Sequence, residues 1–121
     1  MIDSFENFPV YKKILAVVRD INSMCLKIKG AEHRFLKDQI KRASSSILLN
    51  LAEGSVKWSK KDKANYYRIS QASACESIAA LDVFLAYNLV PHSEIKIAKE
   101  LLREIVSNLN ALVISVDKRI K

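Results

Sequence analysis

Turn-forming residues are scarce in this chain. Two glycines and two prolines serve 121 residues, too few for the many tight turns of a β-sandwich or barrel. Two cysteines, Cys25 and Cys75, do not make a disulfide scaffold. Both fall inside helical patterns and read as small core residues in a reduced compartment. No apolar run approaches the ~20 residues that cross a bilayer. The N-terminus carries Asp3 and Glu6 and no apolar core segment, so no signal peptide is expected. These absences predict a cytoplasmic protein.

What is present is globular: 50% of the residues are hydrophobic and 27% charged. The length suits one domain over 1–121 with a core of its own. The net charge is +7, and the cationic excess is spread almost evenly along the chain instead of forming a basic tail. A basic protein favours polyanionic partners over acidic ones, although solvated lysines alone produce the same balance.

Pro9, Gly30, Gly54 and Pro91 all fall between periodic segments. They divide the chain into four predicted helices, about 9–29, 35–54, 60–89 and 93–118. The first carries Ile14, Val17, Val18, Ile21, Met24, Cys25 and Ile28 at helical spacing, with Gly30 suited to a left-handed C-terminal cap. The last repeats Ala98, Leu101, Leu102, Ile105, Leu109, Leu112, Val113 and Val116 near the bundle period of 3.5. In the third, Tyr66, Ile69, Ser70, Ser73, Ser77, Ala80, Leu81 and Phe84 form the stripe; Ser59 with Asp62 caps its start and Pro91 ends it. Short connections make consecutive helices antiparallel. The fold class is all-α, an up-down-up-down four-helix bundle.

The second helix is the one around which the others are organised. Leu36, Ile40, Ala43, Ile47 and Leu51 share a face, and Gly54 is expected to stop it. Gln39, Ser46, Asn50 and Glu53 line the adjacent edge, with Arg42 beside them. Polar groups set next to a core need partners, because an unpaired one costs roughly 1–3 kcal/mol. The pattern therefore predicts an internal polar network, to which Ser73 and Glu76 of the third helix belong. On this reading Asn50→Leu or Glu53→Ala destabilises by about 1–3 kcal/mol. Small residues (Ala43 and Ser46 facing Ser70, Ser73, Ser77 and Ala80) predict a close helix–helix approach. Leu48 and Leu49 point away from the core face and predict a further partner surface, hence self-association.

Catalytic readings fare poorly. His33 and His92 both lie near helix ends and neither follows a Glu by three, so the di-iron pattern of helical bundles is not met and no metal or cofactor is expected. Ser44, Ser45 and Ser46 have no histidine placed to serve as a base. Such serines more often pack closely or bond back to the preceding turn. Glu53 and Glu76 read better as braces, one of them paired with Arg42, than as an acid/base couple. No enzyme is predicted. The best candidate surface is Lys57, Trp58, Lys60, Lys61, Lys63 and Arg68, where lysines neutralise phosphates and the indole stacks on a base. The competing reading is a solvated loop with Trp58 tucked onto the end of the bundle; both stand. Lys37 and Lys41 either extend the patch or lie on an exposed face.

Gln39-Ile40-Lys41-Arg42-Ala43, Ser46-Ile47 and Asn50-Leu51-Ala52-Glu53-Gly54, with Ser73 and Glu76 in a Ser-x-x-Glu arrangement and Phe5, Phe8, Val10 and Tyr11 at the start, resemble a known pattern. It is that of the bacterial four-helix-bundle proteins encoded in 23S rRNA intervening sequences. The chain departs from it at Ser70 and Ala72, where the family has Ala and Gly. The resemblance implies a homo-oligomer, commonly a pentamer, without known catalysis. It also extends to the accessory protein of diversity-generating retroelements, a basic pentamer that engages RNA and a reverse transcriptase. The expected function is a self-assembling scaffold that binds RNA or an RNA–protein complex through a basic face. The alternative is a protein-interaction adaptor that binds no nucleic acid.

Overall fold

The computed structural model describes residues 4–120. A single 3-10 turn, Phe5–Asn7, precedes four helices: α1 (Val10–Lys27), α2 (Arg34–Ser55), α3 (Lys60–Ala86) and α4 (His92–Ile120). Asp3, part of the argument against a signal peptide, lies outside the described residues. Each helix packs on two neighbours, α1 on α2 and α4, and α3 on α2 and α4, so the bundle is square with its diagonals apart. Polar crosslinks give the directions. Lys13 meets Asn108 and Lys27 meets Glu94 between α1 and α4. Arg68 meets Asp117 and Lys99 meets Asp82 between α3 and α4. In both pairs low numbers face high ones, as the up-down-up-down arrangement requires.

The core follows the sequence stripes on α1, α2 and α4. Ile14, Val17 and Ile21 meet Ile40, Ile47 and Leu51, and Leu102, Ile105 and Leu109 close the other side. Each large aliphatic side chain sealed this way contributes about 1.5–3 kcal/mol. On α3 the buried face is rotated from the expected one. Tyr67 and Ala74 are in the core, Ile69 is exposed, and Tyr66, Ser73 and Ala80 are only half-buried. The physical reason is that polar and apolar residues are spread around α3, so no single polar face fixes its orientation. By length and composition it would even suit a membrane span, contrary to the reading that no stretch would. Its crosslinks to α2 and α4 tie it into the bundle.

Close approach to α2 fixes α3 instead. The Ser70 hydroxyl is fully buried and donates to the Ile47 carbonyl at 2.6 Å. A Cβ placed on Gly54 would lie 2.8 Å from Tyr67 Cε1 and 2.9 Å from Tyr66 Cβ. Gly54 is therefore not a stop signal: it sits inside α2, which runs on to Ser55, and it is there because nothing larger fits. Gly30 does adopt the expected left-handed conformation, at φ 84°, three residues past the end of α1. The end of α3 is set before Pro91, by Asn88 in the left-handed region at φ 54°, where Leu89 N–H returns to the Phe84 carbonyl. Ser59 accepts from the Asp62 N–H at the start of α3, as its spacing predicts.

The cysteines divide. Cys25 is buried, and that burial raises its thiol pKa above the ordinary value. Cys75, expected in the core, is exposed on α3. The leucines divide too: Leu48 packs at the edge of the core, whereas Leu49 is 66% exposed.

Candidate nucleic-acid interface

The predicted basic cluster surrounds the turn from α2 to α3, and the structure splits it into two groups. Lys63, one turn into α3, folds back so that its ammonium donates to the carbonyls of Gly54 and Ser55 at 3.1 and 3.0 Å. Those are orphan acceptors at the C-terminus of α2, so this lysine is a helix cap. Lys37 does the same one connection earlier, reaching the Ile28 carbonyl at 3.0 Å. Lys57 pairs with Glu53 one turn back at 3.2 Å and lies 5.1 Å from the centre of the Tyr66 ring. The Glu53 hydrogen bond raises its pKa above the ordinary lysine value. Arg68 is held by Asp117 at 2.6 Å. Lys57, Lys63 and Arg68 are thus engaged in the bundle's own structure.

Trp58, Lys60 and Lys61 remain on the surface. The indole does not tuck onto the bundle end: Trp58 is 87% exposed in the turn itself. Lys60 and Lys61 are exposed on the first turn of α3. The outcome is a flat apolar ring system held in water beside two surface cations. That combination offers a stacking surface with adjacent phosphate neutralisation.

The residues expected as an internal polar network are placed elsewhere. Gln39, Arg42, Glu53 and Glu76 are exposed, and Ser46, Asn50 and Ser73 half-buried. All seven lie along the outward side of the α2–α3 pair, uncovered by either other helix. The Asn50 amide donates to the Ser46 carbonyl of its own helix, Glu53 pairs with Lys57, and the Ser73 carbonyl accepts from Ser77. Among the described residues no ion pair joins Arg42 to Glu53 or Glu76. The edge faces outward because α2 already has its two neighbours on its other sides. A shallow pocket of about 130 Å³ between α2 and α3 does bring Gln39 and Glu76 to one rim, over Leu36, Val83 and Phe84. Elsewhere on α2, on α3 and just past its end stand exposed apolar side chains, including Phe35, Leu49, Ile69 and Tyr87. Small Ala72 and Ala79 lie on the same α3 face. Within the single chain these polar residues share one side, and that side faces outward. Of the predicted serine roles, Ser44 bonds back to the Lys41 carbonyl as expected.

Residues 6–111 match the model of the 23S rRNA-intervening sequence protein family. The chain belongs to that family. No curated protein matches the chain in sequence. Its fold is similar to the crystal structure of a protein of unknown function from the S23 ribosomal protein family of Bacteroides thetaiotaomicron VPI-5482. That likeness has a TM-score of 0.78 at 20% identity, covering 86% of this chain and 97% of the other. At this identity the likeness shows the shared bundle. Neither comparison indicates a catalytic family for the 23S rRNA-intervening sequence protein. Among its described residues no three His, Cys, Asp or Glu side chains converge as a metal site.

Proposed function

We propose that this protein is a non-enzymatic, self-associating helical scaffold that binds RNA, or an RNA–protein complex, through its basic end. One observation carries the reading: Trp58, at 87% exposure, stands in water beside Lys60 and Lys61. A large apolar ring gains nothing there unless a partner covers it. Base stacking on such a ring contributes about 1–3 kcal/mol, and the neighbouring ammonium groups would take phosphates. The family's tie to rRNA genes agrees with RNA as the polyanion. Two free thiols agree with action in a reducing cytoplasm.

Self-association is supported by the outward α2–α3 side. Leu49, Ile69 and Val83 lie exposed on it among small residues, with Arg42 and Glu76 available for pairing across an interface. The pentamer is the resemblance's expectation. The same side favours the alternative of a protein-interaction adaptor, in which another protein covers it.

The test is binding of nuclease-treated protein to structured RNA and duplex DNA across a salt series, alongside Lys60→Glu/Lys61→Glu. The reading expects RNA affinity that falls steeply with salt and drops at least tenfold in the double variant. Unchanged affinity in that variant would move the site away from the bundle end. No binding at low salt, with a stable protein partner recovered after nuclease treatment, would make the adaptor the correct reading. Sedimentation velocity tests assembly, and a monomer at micromolar concentration would refute it.

A further inference from the structure

On the first four turns of α4, two acids face α1 and four basic side chains line another edge. Glu94 and Glu104 turn toward α1, where they pair with Lys27 and Lys13. The basic side chains turn the other way. His92, Lys96, Lys99 and Arg103 recur at intervals of four, three and four, which places them on one edge of the helix. That edge forms the rim of an outer groove between α3 and α4, a concavity of about 310 Å³ floored by Leu85 and Ile95. The acid closest to hand on α3, Asp82, is already held by Lys99. Lys96 and Arg103 have no ion-pair partner among the described residues, unlike Lys13, Lys27, Lys57, Arg68 and Lys99. Two cations outside any ion pair, with Glu100 one turn from each, are therefore on the same side of an open, apolar-floored groove.

We propose that this α3–α4 groove binds the phosphate backbone of single-stranded RNA, with Lys96 and Arg103 as the phosphate-contacting side chains. The proposal rests on the RNA-binding reading and gives the strand a second point of attachment, at the opposite end of the bundle from Trp58. Seven residues separate the two cations, about 10 Å along the helix. The Leu85 and Ile95 floor suits an unpaired base or a ribose, which a duplex keeps stacked out of reach. On α3, Asp82, Cys75, Arg68 and Lys61 recur at intervals of seven toward the turn that carries Trp58, with Arg68 held by Asp117. From Asp82 to Lys61 is about 32 Å along the helix.

The experiment is fluorescence anisotropy with a labelled twelve-nucleotide oligouridylate, titrated across a KCl series. It compares the native protein, Lys96→Gln/Arg103→Gln, and a charge-matched control, Lys12→Gln/Lys29→Gln, with helicity of each checked by circular dichroism. The groove variant is expected to bind at least tenfold more weakly, with a salt slope shallower by about 1.4 for two lost phosphate contacts on a single strand. The control keeps the native slope, and Lys96→Arg/Arg103→Lys restores binding. Equal losses in groove variant and control would reduce the effect to net charge and overturn the groove. Native affinity in the groove variant would overturn it too, while leaving the RNA reading at the bundle end intact. Failure of the native protein to bind the oligonucleotide or structured RNA at low salt would overturn both. A twelve-nucleotide DNA of matching sequence separates backbone recognition, which it would share, from recognition of the ribose hydroxyl.

Discussion

Gly54→Ala should destabilise this protein, although the same change on an exposed helix would stabilise it. Replacing a helical glycine with alanine lowers backbone entropy in the unfolded chain and gains about 0.5–1 kcal/mol. Against this stands the space available. The new methyl would lie 2.8 Å from Tyr67 Cε1 and 2.9 Å from Tyr66 Cβ. Neither neighbour can yield cheaply. Tyr67 is 2% exposed and wedged in the core, and the Tyr66 atom is a Cβ, fixed to the backbone of α3. The helices must separate by several tenths of an ångström, which also lengthens the 2.6 Å bond from Ser70 to Ile47. Overpacking of this kind costs typically 1–3 kcal/mol, so the net effect is a loss of about 1–2 kcal/mol. For a chain of this size that lowers Tm by roughly 4–8 °C. Thermal unfolding followed by circular dichroism, with urea titration for the midpoint, measures it. A Gly54→Ala protein as stable as the native one, or more so, would refute the close-approach account of α2 and α3.

Three further outcomes follow from the structure. Folded protein treated with a thiol reagent at pH 8 should label rapidly at the exposed Cys75 and not at Cys25, which labels only after denaturation; equal rates would contradict the packing of α1. Because burial raises the Cys25 pKa in the folded state, its contribution to stability is fully present below the unfolded value of about 8.5 and is lost as pH rises above it. Cys25→Ala should therefore flatten the alkaline limb of a stability–pH profile, and an unaltered limb would contradict the assignment. Lys63→Met keeps the aliphatic stem but removes the donor to Gly54 and Ser55; it should cost about 0.5–1.5 kcal/mol by urea unfolding, and no change would refute the capping role. Glu53→Ala, by contrast, removes only a surface pair with Lys57 and should shift the stability of the isolated chain by less than about 0.5 kcal/mol; a larger loss at low protein concentration would return Glu53 to an internal network.

The four helices were legible because hydrophobic spacing repeats where every helix has one wet side. That condition holds for α1, α2 and α4, whose buried stripes agree with the sequence. It fails for α3, where Ile69, Ala72, Ala79 and Val83 make the outer side nearly as apolar as the inner. Its rotation is set by Gly54 and Ser70 meeting residues of the facing helix, and no local pattern encodes a meeting between residues 13 to 23 positions apart. The candidate site was partly legible for the same reason. Composition located a lysine-rich turn with a tryptophan inside it. Spacing did not reveal that Lys63 reaches back to the end of α2 or that Arg68 meets Asp117 on α4, because both partners depend on how the helices are joined. The polar residues from Gln39 to Glu53 share one edge by helical phase. Phase alone does not say whether their edge turns inward or out.

Trp58 offers the most direct test of the RNA-binding scaffold, because it is the chain's single tryptophan and reports on one place. Its fluorescence should be titrated with single-stranded RNA in low and high salt. The account predicts the emission of a water-exposed indole in the free protein, then saturable quenching by RNA with an affinity that falls as salt rises. Emission unchanged at RNA concentrations where anisotropy shows the strand bound would mean that no base stacks on Trp58, and the proposed interface at the bundle end would be wrong.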